Sequence, residues 1–327
     1  MRAVVIEERG GPEVLRIIDT PDPGCGPEDL LVRVRATALN RADLLQRRGL
    51  YPQPGPGSAV EIPGLEFAGE VERAGARCEG FKPGDRVFGI LTGGGYAEKV
   101  AVHHRLAARV PEGLSWPQAA AIPEAFMTAA DALEQCGLRP GESVLVHAVG
   151  SGVGGAVIQL AAVSGATPIV GTARTPDKLE RAKELGLDAG WLADTADFAA
   201  EVLAYTKKTG VDVIVDFVGA SYLERNLRAL AVKGRMVVVG MLGGINADLS
   251  LATLLAKRLR IIGTVLRSRP LEERIAATRL FEKTVIPHLA KGRIRPVVDR
   301  TFALEQAADA HRYMESNANY GKIVLAI

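Results

Sequence analysis

Hydrophobic and polar positions follow two different patterns along the 327-residue chain. From residue 1 to about residue 120 the pattern has no helical periodicity, and short apolar segments such as 30–38 and 96–102 are separated by glycine- and proline-rich turns. Many short strands between such turns predict a β-barrel-like domain. One short helix is predicted from Asn40 to Arg48, and Asn40 is its candidate N-cap.

From about residue 116 the pattern changes to strands that alternate with helices. Apolar segments at 144–149, 167–173, 211–217 and 235–240 are separated by stretches with helical periodicity. This alternation predicts a doubly wound parallel sheet. The last strand of the series, Arg260 to Leu266, is a candidate sheet edge. Because a long apolar edge is normally covered, we expect this strand to pair with the same strand of a second subunit.

The C-terminal tail does not continue the alternation. It contains helical stretches at 274–290 and 307–316 and a final strand at 322–326. We therefore expect it to return to the first domain, so that 1–120 and 266–327 form one domain and 121–265 the other.

A glycine-rich turn follows the apolar strand that ends at Val149. The spacing of Gly150, Gly152 and Gly155 fits the dinucleotide-binding pattern G-x-G-x-x-G. Glycines let the backbone approach a ligand closely, and the N-terminus of the next helix offers free N–H groups and a partial positive charge to a pyrophosphate. An ordinary tight turn can have the same spacing, but the strand before it and the helix after it favour dinucleotide binding.

The end of the second strand indicates which dinucleotide is bound. An NAD site has an acidic residue about 20 residues past the glycines, whereas Arg174 stands here and Lys178 follows one helical turn later. A guanidinium suits a 2′-phosphate because it forms bidentate charged hydrogen bonds. Asp177 is explained as a first-turn residue of a helix with Thr175 as N-cap. We predict NADPH rather than NADH; the alternative for Arg174 is a solvated surface charge.

Composition and charge argue against several classes of protein. The net charge of +2, with 47% hydrophobic and 24% charged residues, favours neither a nucleic-acid partner nor an anionic membrane. Three widely spaced cysteines form no disulfide pattern, and acidic residues directly after the N-terminus argue against a signal peptide. The long uncharged stretch at 143–173 is broken by glycines and a proline. We expect a cytoplasmic protein without a membrane segment.

Several longer motifs resemble those of a known family. They are LNRADL (39–44), PGLEFAG (63–69), AAIPEAFMTA (120–129), SGVG (151–154), GASYLERN (219–226), LRSR (266–269), AHRYME (310–315) and GKIVL (321–325). With them the whole chain resembles the zeta-crystallin-type quinone oxidoreductases of the medium-chain dehydrogenase/reductase superfamily, and among these the tumour-suppressor-inducible quinone oxidoreductase subgroup. The resemblance implies an α/β fold, with a GroES-like β-barrel-type catalytic domain (1–120 and 266–327) and a doubly wound Rossmann domain (121–265).

The resemblance also concerns metal binding. Zinc alcohol dehydrogenases of the superfamily hold zinc through cysteine and histidine, whereas this chain has Asn40 and Leu65 at the corresponding positions. Three scattered cysteines do not build a closed tetrahedral site. His103 and His104 are adjacent at a predicted strand end, so we expect their imidazoles to point in opposite directions. We predict no zinc.

Without a metal, we expect an acceptor that takes up hydride easily, and a quinone is already electrophilic. The resemblance implies an NADPH-dependent quinone oxidoreductase that transfers hydride, or single electrons, to small quinones. Asn40 and Tyr51 are the candidate catalytic hydrogen-bond donors near the nicotinamide. The alternatives are a helix cap for Asn40 and a loop aromatic for Tyr51.

The resemblance further implies which residues bind the cofactor. They are Ser151, Gly152 and Val153 at the pyrophosphate, Arg174 and Lys178 at the 2′-phosphate, Thr128, Gly219, Met241, Leu242 and Gly243 near the nicotinamide, and Leu266, Arg267, Ser268 and Asn317 at the closing side of the site. The family often has a tyrosine at the adenosine phosphate where this chain has Ala193. That departure leaves Arg174 and Lys178 as the candidates for recognising the 2′-phosphate.

Two other functions remain open. One is the reduction of an activated C=C bond in an enone or enoyl thioester, which uses the same hydride geometry, with Arg267 and Arg269 as candidates for a basic groove. The other is a non-enzymatic, cofactor-bound structural or RNA-binding protein. The near-neutral charge and the lack of basic and aromatic clusters argue against nucleic acid. The expected partners are therefore a small quinone and a second copy of the chain in a homodimer.

Overall fold

The structure, a computed structural model, describes residues 1–51, 60–194 and 196–327. It forms two compact units: unit 1 comprises Met1–Met127 and Leu266–Ile327, and unit 2 comprises Thr128–Val265. The first boundary lies later than residue 120, where the sequence placed it. The reason is that the helix starting at Pro123 is still hydrogen-bonded to unit 1 in its first turn, through the backbone N–H of Glu124 and the carboxylate of Glu66.

The N-terminal part of unit 1 consists mainly of short strands. They are β1 (Arg2–Ile6), β2 (Leu15–Asp19), β3 (Asp29–Ala38), β4 (Glu66–Ala74), β5 (Arg86–Ile90), β6 (Lys99–His103) and β7 (Ala107–Arg109). The helices are α1 (Arg41–Arg47), α2 (Trp116–Ala120) and α3 (Pro123–Cys136), with short 3-10 helices at Pro12–Val14 and His104–Leu106. The chain then continues along α3 into unit 2.

Unit 2 is a parallel sheet with helices between its strands. The strands are β8 (Val144–Val146), β9 (Ile169–Ala173), β10 (Ala189–Leu192), β11 (Val211–Asp216), β12 (Leu230–Val238) and β13 (Arg260–Gly263). The helices are α4 (Gly152–Val163), α5 (Pro176–Lys183), α6 (Phe198–Tyr205), α7 (Leu223–Ala229) and α8 (Leu251–Lys257), with a 3-10 helix at Ala220–Tyr222. The strand order is β10-β9-β8-β11-β12-β13. The order reverses between β8 and β11, and ligands of such sheets bind at the carboxyl ends of the strands near this point.

The C-terminal tail belongs to unit 1. It contains α9 (Leu271–Thr284), α10 (Ile286–Ala290), β14 (Val298–Ala303), α11 (Ala307–Glu315) and β15 (Lys322–Ala326), with a 3-10 helix at Leu304–Gln306. Strand β15 pairs antiparallel with β3, and β14 pairs parallel with β15. The sheet order is therefore β14-β15-β3-β4-β5-β7, with β6 also paired to β3.

Several elements differ from the sequence prediction, and three of them have a clear physical reason. Strand β10 was not predicted, because it is short and only partly buried, and its apolar pattern is weak. The predicted helix at 274–290 is two helices, since Pro287 near the start of α10 has no N–H to continue the helix before it. Strand β13 ends at Gly263 rather than at Leu266.

Each unit has its own hydrophobic core. In unit 2 the strands β8 and β11 are buried on both faces, and this explains why they appear in the sequence as continuous apolar segments. In unit 1, side chains of β3, β4 and β5 pack together around Phe67, which is fully buried. The predicted fold class, a GroES-like domain with a Rossmann domain, is confirmed. Within 1–51, 60–194 and 196–327, no helix has both the length and the apolar content needed to cross a membrane.

Candidate active site

The glycine-rich turn of unit 2 connects β8 to α4. Ser151 is the N-cap residue of α4, and its Oγ accepts a hydrogen bond from the N–H of Gly154 at 2.9 Å. The first N–H groups of a helix have no partner within the helix, and the helix dipole gives this end a partial positive charge. Ser151, Gly152 and Val153 therefore lie at a position that suits an anionic phosphate.

Gly154 is the position in this turn that leaves no room for a side chain, although the pattern G-x-G-x-x-G leaves it variable. A Cβ on Gly154 would lie 2.4 Å from the carbonyl oxygen of Ala148 and 3.0 Å from Cα of Val149. A Cβ on Gly155 would meet only Cδ1 of Leu185, at 3.2 Å. The turn therefore requires a glycine at position 154, where the backbone of Ala148 and Val149 comes close, and the motif does not predict this requirement.

Two cationic side chains lie near this turn. Arg174 directly follows β9 and is exposed, and its guanidinium has no hydrogen bond or ion pair with any residue of 1–51, 60–194 and 196–327. Its charge partly offsets the rise in the pKa of Tyr222 that burial causes. The stem of Lys178 lies against the turn, because a Cβ on Gly150 would be 2.6 Å from Cδ of Lys178. Thr175 stands at the N-cap of α5, as predicted, although its side chain makes no capping hydrogen bond.

The loops after β11 and β12 bring four of the predicted cofactor residues together. The N–H of Gly243 donates to the carbonyl of Val218 at 2.7 Å. Gly219 has a φ of 80°, and a Cβ there would lie 3.1 Å from Cα of Met241. Met241 and Leu242 are exposed. Thr128, on α3, is buried.

A buried polar network in unit 2 was missed by the sequence analysis. Nδ1 of His147 lies 2.8 Å from Oγ1 of Thr172, and Nε2 lies 2.7 Å from Oδ1 of Asn226. The amide of Asn226 donates to Asp216 at 3.1 Å, and Asp216 also accepts the N–H of Gly219. Burial lowers the pKa of His147, so the imidazole is neutral and Nε2 is its donor. The network holds the loop that carries Gly219.

In unit 1, Asn40 is the N-cap residue of α1, as predicted. Its Nδ2 donates to Oε1 of Glu66 at 2.8 Å, and its Oδ1 accepts from Nζ of Lys322 at 2.6 Å. Lys322 also donates to Glu66 at 2.7 Å and to the carbonyl of Leu39 at 2.9 Å. The N–H of Asn40 donates to the carboxylate of Asp43 at 2.7 Å. Asn40 is thus the predicted N-cap residue, and the buried ion pair of Glu66 and Lys322 orients its amide.

Tyr51 is partly buried beneath the guanidinium of Arg267. Cζ of Arg267 lies 4.8 Å from the centre of the Tyr51 ring. Arg267 itself is buried; its Nε donates to the carbonyl of Thr92 at 2.7 Å and its Nη2 donates to Gln46 at 3.0 Å. Burial raises the pKa of Tyr51, so its phenol stays neutral and can donate a hydrogen bond. Arg267, which was predicted to bind the cofactor, makes these contacts within unit 1.

The other predicted residues of the tail lie in different environments. Asn317 has a left-handed backbone with φ of 58°, and its Oδ1 accepts a hydrogen bond from Arg41, the residue after Asn40. Leu266 is partly buried and Ser268 is exposed. The tail thus places Asn317 next to the start of α1.

Glu124, in the first turn of α3, was not among the predicted site residues. Its N–H donates to Oε2 of Glu66 at 2.8 Å, and its side chain is only partly buried. Its carboxyl has no hydrogen bond or ion pair with any residue of the described ranges. Burial, and then the negative charge of Glu66, raise the pKa of Glu124 to about 8. An acidic residue in a first helical turn is usually explained by the helix dipole, so the sequence did not distinguish this one.

The residues of unit 1 do not fit a zinc site. Among 1–51, 60–194 and 196–327, no group of three or more His, Cys, Asp or Glu side chains is placed to hold a metal ion. Leu65 is 2% exposed and offers no ligand, and the amide of Asn40 already accepts from Lys322.

The expectation for the histidine pair is wrong, because the rings of His103 and His104 stack at 4.9 Å. Strand β6 ends at the first of them and a 3-10 helix begins at the second, so strand alternation does not apply.

Known proteins resemble this chain along its whole length. The alcohol dehydrogenase GroES-like domain matches residues 26–112, and the zinc-binding dehydrogenase family matches residues 152–283. Quinone oxidoreductase of Rattus norvegicus is 32% identical over 100% of this chain and 98% of that protein. A pikromycin polyketide synthase component of Streptomyces venezuelae is 34% identical over 94% of this chain, which corresponds to 8% of that protein.

Solved structures show the same relationship. An NAD-dependent alcohol dehydrogenase has a TM-score of 0.89 and 36% identity, with 100% of both chains covered. Quinone oxidoreductase of Escherichia coli, complexed with NADPH, has a TM-score of 0.88 and 27% identity, also with 100% of both chains covered. The predicted subgroup stays a prediction. The chain is an NAD(P)-dependent oxidoreductase of the medium-chain dehydrogenase/reductase superfamily and belongs to its zeta-crystallin-type quinone oxidoreductase family.

Proposed function

We propose that this chain is an NADPH-dependent quinone reductase that transfers hydride, or single electrons, to small quinones without a metal ion. The observation that carries the proposal is the buried cluster of Asn40, Glu66 and Lys322, in which an amide and an ion pair stand where zinc enzymes of the superfamily hold a cysteine. Alcohol oxidation needs a Lewis acid or a base to handle the alkoxide. A quinone is electrophilic and needs mainly positioning and hydrogen-bond donors.

The preference for NADPH rests on the charge beside the glycine-rich turn. Arg174 has no partner in the described ranges, and Lys178 lies along the turn. Arg225 adds a third positive charge, with its Cζ 4.6 Å from the centre of the Tyr222 ring. A 2′-phosphate would give Arg174 a charged partner, which the 2′-hydroxyl of NADH does not supply. When bound, the reduced nicotinamide supplies the hydride.

Tyr51 and Asn40 are the proposed donors to the oxygens of the acceptor, and Asn40 would exchange its 3.3 Å hydrogen bond to the carbonyl of Ala38 for one to the acceptor. The Asn40 amide is pinned by Glu66 and Lys322, and the Tyr51 ring is held by Arg267, so both side chains are oriented before a substrate binds. Donors that do not have to reorganise stabilise developing negative charge more strongly than mobile ones. These two side chains therefore position a quinone and stabilise its reduced oxygens.

A second candidate function is the reduction of an activated C=C bond in an enone or enoyl thioester. It is favoured by the 34% identity to a polyketide synthase component, which covers 94% of this chain. The negative charge then develops on the thioester carbonyl oxygen, and the same donors can stabilise it.

The test is oxidation of NADPH and of NADH by EDTA-treated protein, with naphthoquinone, benzoquinone and crotonyl-CoA as acceptors. We expect quinone turnover that prefers NADPH and survives chelation. Turnover confined to crotonyl-CoA would establish the second candidate instead. Loss of activity with EDTA that returns with zinc would show that the reaction requires a metal ion.

We also propose that two copies of the chain pair through β13 to form a homodimer. In the described part of the sheet, β13 pairs only with β12. Ile261 on this strand is 38% exposed, and Val265 just beyond it is 47% exposed. An apolar edge strand with unpaired backbone groups is a template for pairing with another copy.

A further inference from the structure

We propose that Glu124 is the proton donor of the reaction, and that its carboxylic acid protonates the oxyanion that develops on the acceptor as it is reduced. This inference rests on the proposed reductase function. It names the source of the proton that the reduced acceptor takes up, whereas Asn40 and Tyr51 were proposed only as hydrogen-bond donors. Glu124 and the side chains that surround it all belong to unit 1.

The position of Glu124 is set by the same cluster that orients Asn40. The two oxygens of Glu66 divide their contacts: Oε1 accepts from Asn40 at 2.8 Å and Lys322 at 2.7 Å, and Oε2 accepts the N–H of Glu124 at 2.8 Å. Glu66 is fully buried, so this arrangement is rigid. The carboxylate of Glu66 therefore contacts both the backbone of Glu124 and the Asn40 amide that is proposed to contact the acceptor.

The carboxyl of Glu124 is free to interact with a ligand. Buried polar groups in proteins are nearly always hydrogen-bonded. Glu66 follows that rule, because both of its carboxylate oxygens accept hydrogen bonds. The Glu124 carboxyl accepts none from the described residues, and the residue as a whole is only partly buried. An acid without a partner but with access to solvent can give up a proton and be recharged by water.

The charges around Glu124 favour the neutral acid. Glu66 on β4 and Asp43 on α1 disfavour a further negative charge, while Lys322 on β15 and Arg267 before α9 favour it. The N-terminus of α3 also favours the carboxylate. Burial and the two acids outweigh the two cations, so the pKa of Glu124 rises to about 8. At neutral pH the side chain therefore carries the proton. Tyr51 lies close enough for Glu124 to raise the pKa of its phenol.

The chemistry balances without a further reactant. The C–H bond of the reduced nicotinamide breaks, and its electron pair and hydrogen pass to the acceptor. An acceptor oxygen takes up the negative charge. The O–H bond of Glu124 then breaks, its electrons stay on the carboxylate, and the proton forms a new O–H bond on the reduced acceptor. Water from the exposed side reprotonates the carboxylate.

The test compares Glu124→Gln with wild type in steady-state turnover of naphthoquinone over a range of pH. Wild-type kcat should fall as the pH rises through about 8, because the acid is lost there. The glutamine variant should have a kcat about 10²-fold lower, without that pH dependence, since general acids typically contribute this much. Glu124→Asp should recover part of the rate and the pH dependence. The matched control is Glu134→Gln, an exposed acid on the same helix α3, which should behave as wild type.

One further measurement separates this proposal from the proposed function. The infrared spectrum of the cofactor-free protein should show a protonated carboxylic acid that disappears above about pH 8 and is absent from Glu124→Gln. A wild-type pH profile in the glutamine variant, or no such infrared signal, would overturn the inference.

Failure of the proposed function gives a different result. Wild type would then reduce crotonyl-CoA but not naphthoquinone, while Glu124→Gln still lost crotonyl-CoA turnover and its pH dependence. That outcome would support the role of Glu124 and reject the quinone as substrate.

Discussion

At the scale of single residues, the proposed preference for NADPH depends on Arg174, a cation that has no partner in the part of the chain that the structure describes. Arg174 was singled out from the sequence because it stands where an NAD site has an acid. The structure adds that it is exposed after β9 and has no partner among 1–51, 60–194 and 196–327. A solvated surface charge remains the alternative, and the two interpretations predict different kinetics.

We expect Arg174→Ala to raise the KM for NADPH roughly 10- to 100-fold, because charged hydrogen bonds contribute about 1.5–3 kcal/mol. The KM for NADH should change little, since NADH has no 2′-phosphate. Steady-state oxidation of both cofactors measures this. Lys183→Ala, on the exposed side of α5, is the matched control. Equal effects on the two cofactors would show that Arg174 does not recognise the phosphate.

A second residue-scale feature is the buried chain of hydrogen bonds around His311. Its Nδ1 lies 3.1 Å from Arg47, and its Nε2 lies 3.2 Å from the hydroxyl of Tyr96, which donates to Asp43. Arginine is always a donor, so His311 accepts at Nδ1 and donates from Nε2. Burial, and then the charge of Arg47, lower the pKa of His311 to about 3. The imidazole is therefore neutral in the folded protein.

Acid should destabilise the protein through this group. The pKa of His311 is lower in the folded than in the unfolded state, so its contribution is complete above about pH 6.5 and is lost as the pH falls toward about 3. The loss is about 1.4 kcal/mol for each pH unit in that window. Urea unfolding at several pH values measures it. His311→Gln keeps a donor and an acceptor but does not titrate, so its stability should fall less steeply.

The control for this prediction is His104→Gln, which changes a partly exposed imidazole in the same unit. Its stability should follow the wild-type pH dependence. If His311→Gln were as sensitive to acid as wild type, the buried imidazole would not be the cause.

At the scale of elements, the strand, turn and helix around Gly152 were predicted from the sequence, because apolar periodicity and glycine spacing are local signals. The tight contact at Gly154 was not, since it depends on the path of the backbone at Ala148. The same limitation explains strand β10, whose residues are only partly buried, and the break between α9 and α10. Long periodic segments are readable from sequence, whereas short or marginal elements depend on their neighbours.

The turn provides a matched pair of substitutions. Gly154→Ala puts a Cβ 2.4 Å from a backbone oxygen, so the turn must shift; we expect a loss of about 1–3 kcal/mol in stability and at least tenfold weaker NADPH binding. Gly155→Ala meets only the flexible end of Leu185, and alanine favours a helix by up to about 1 kcal/mol. Fluorescence titration with NADPH and thermal unfolding measure both. Similar behaviour of the two variants would contradict the role given to Gly154.

At the scale of the whole molecule, the proposed homodimer depends on the apolar edge of the sheet in unit 2. The apolar edge at β13 was predicted from the sequence, although the strand itself is shorter than expected. Leu251 and Leu255 on the preceding helix α8 are also exposed, which extends the apolar surface in unit 2. Burial of such a surface against a second copy would remove it from water.

We expect wild type to sediment as a dimer and Ile261→Lys to sediment as a monomer at micromolar concentration, because lysine on an edge strand opposes pairing between sheets. Sedimentation velocity gives the answer directly. Ile17→Lys changes an exposed isoleucine of unit 1 and should leave the wild-type state intact. A monomeric wild type, or an unaffected Ile261→Lys, would reject pairing through β13.

The sequence by itself determined the local features of this protein: alternating strands and helices, a dinucleotide-binding turn, Arg174 at the end of a strand, and asparagine and leucine where zinc ligands would stand. These depend on residue type and spacing over short distances. Only the tertiary structure decided which side chains meet. Lys322 and Glu66 are 256 residues apart and pair because β15 and β4 both lie beside β3. The thiols of Cys25 and Cys78 similarly converge on the carbonyl of Asp29. Such partners arise from sheet pairing, which no local pattern encodes.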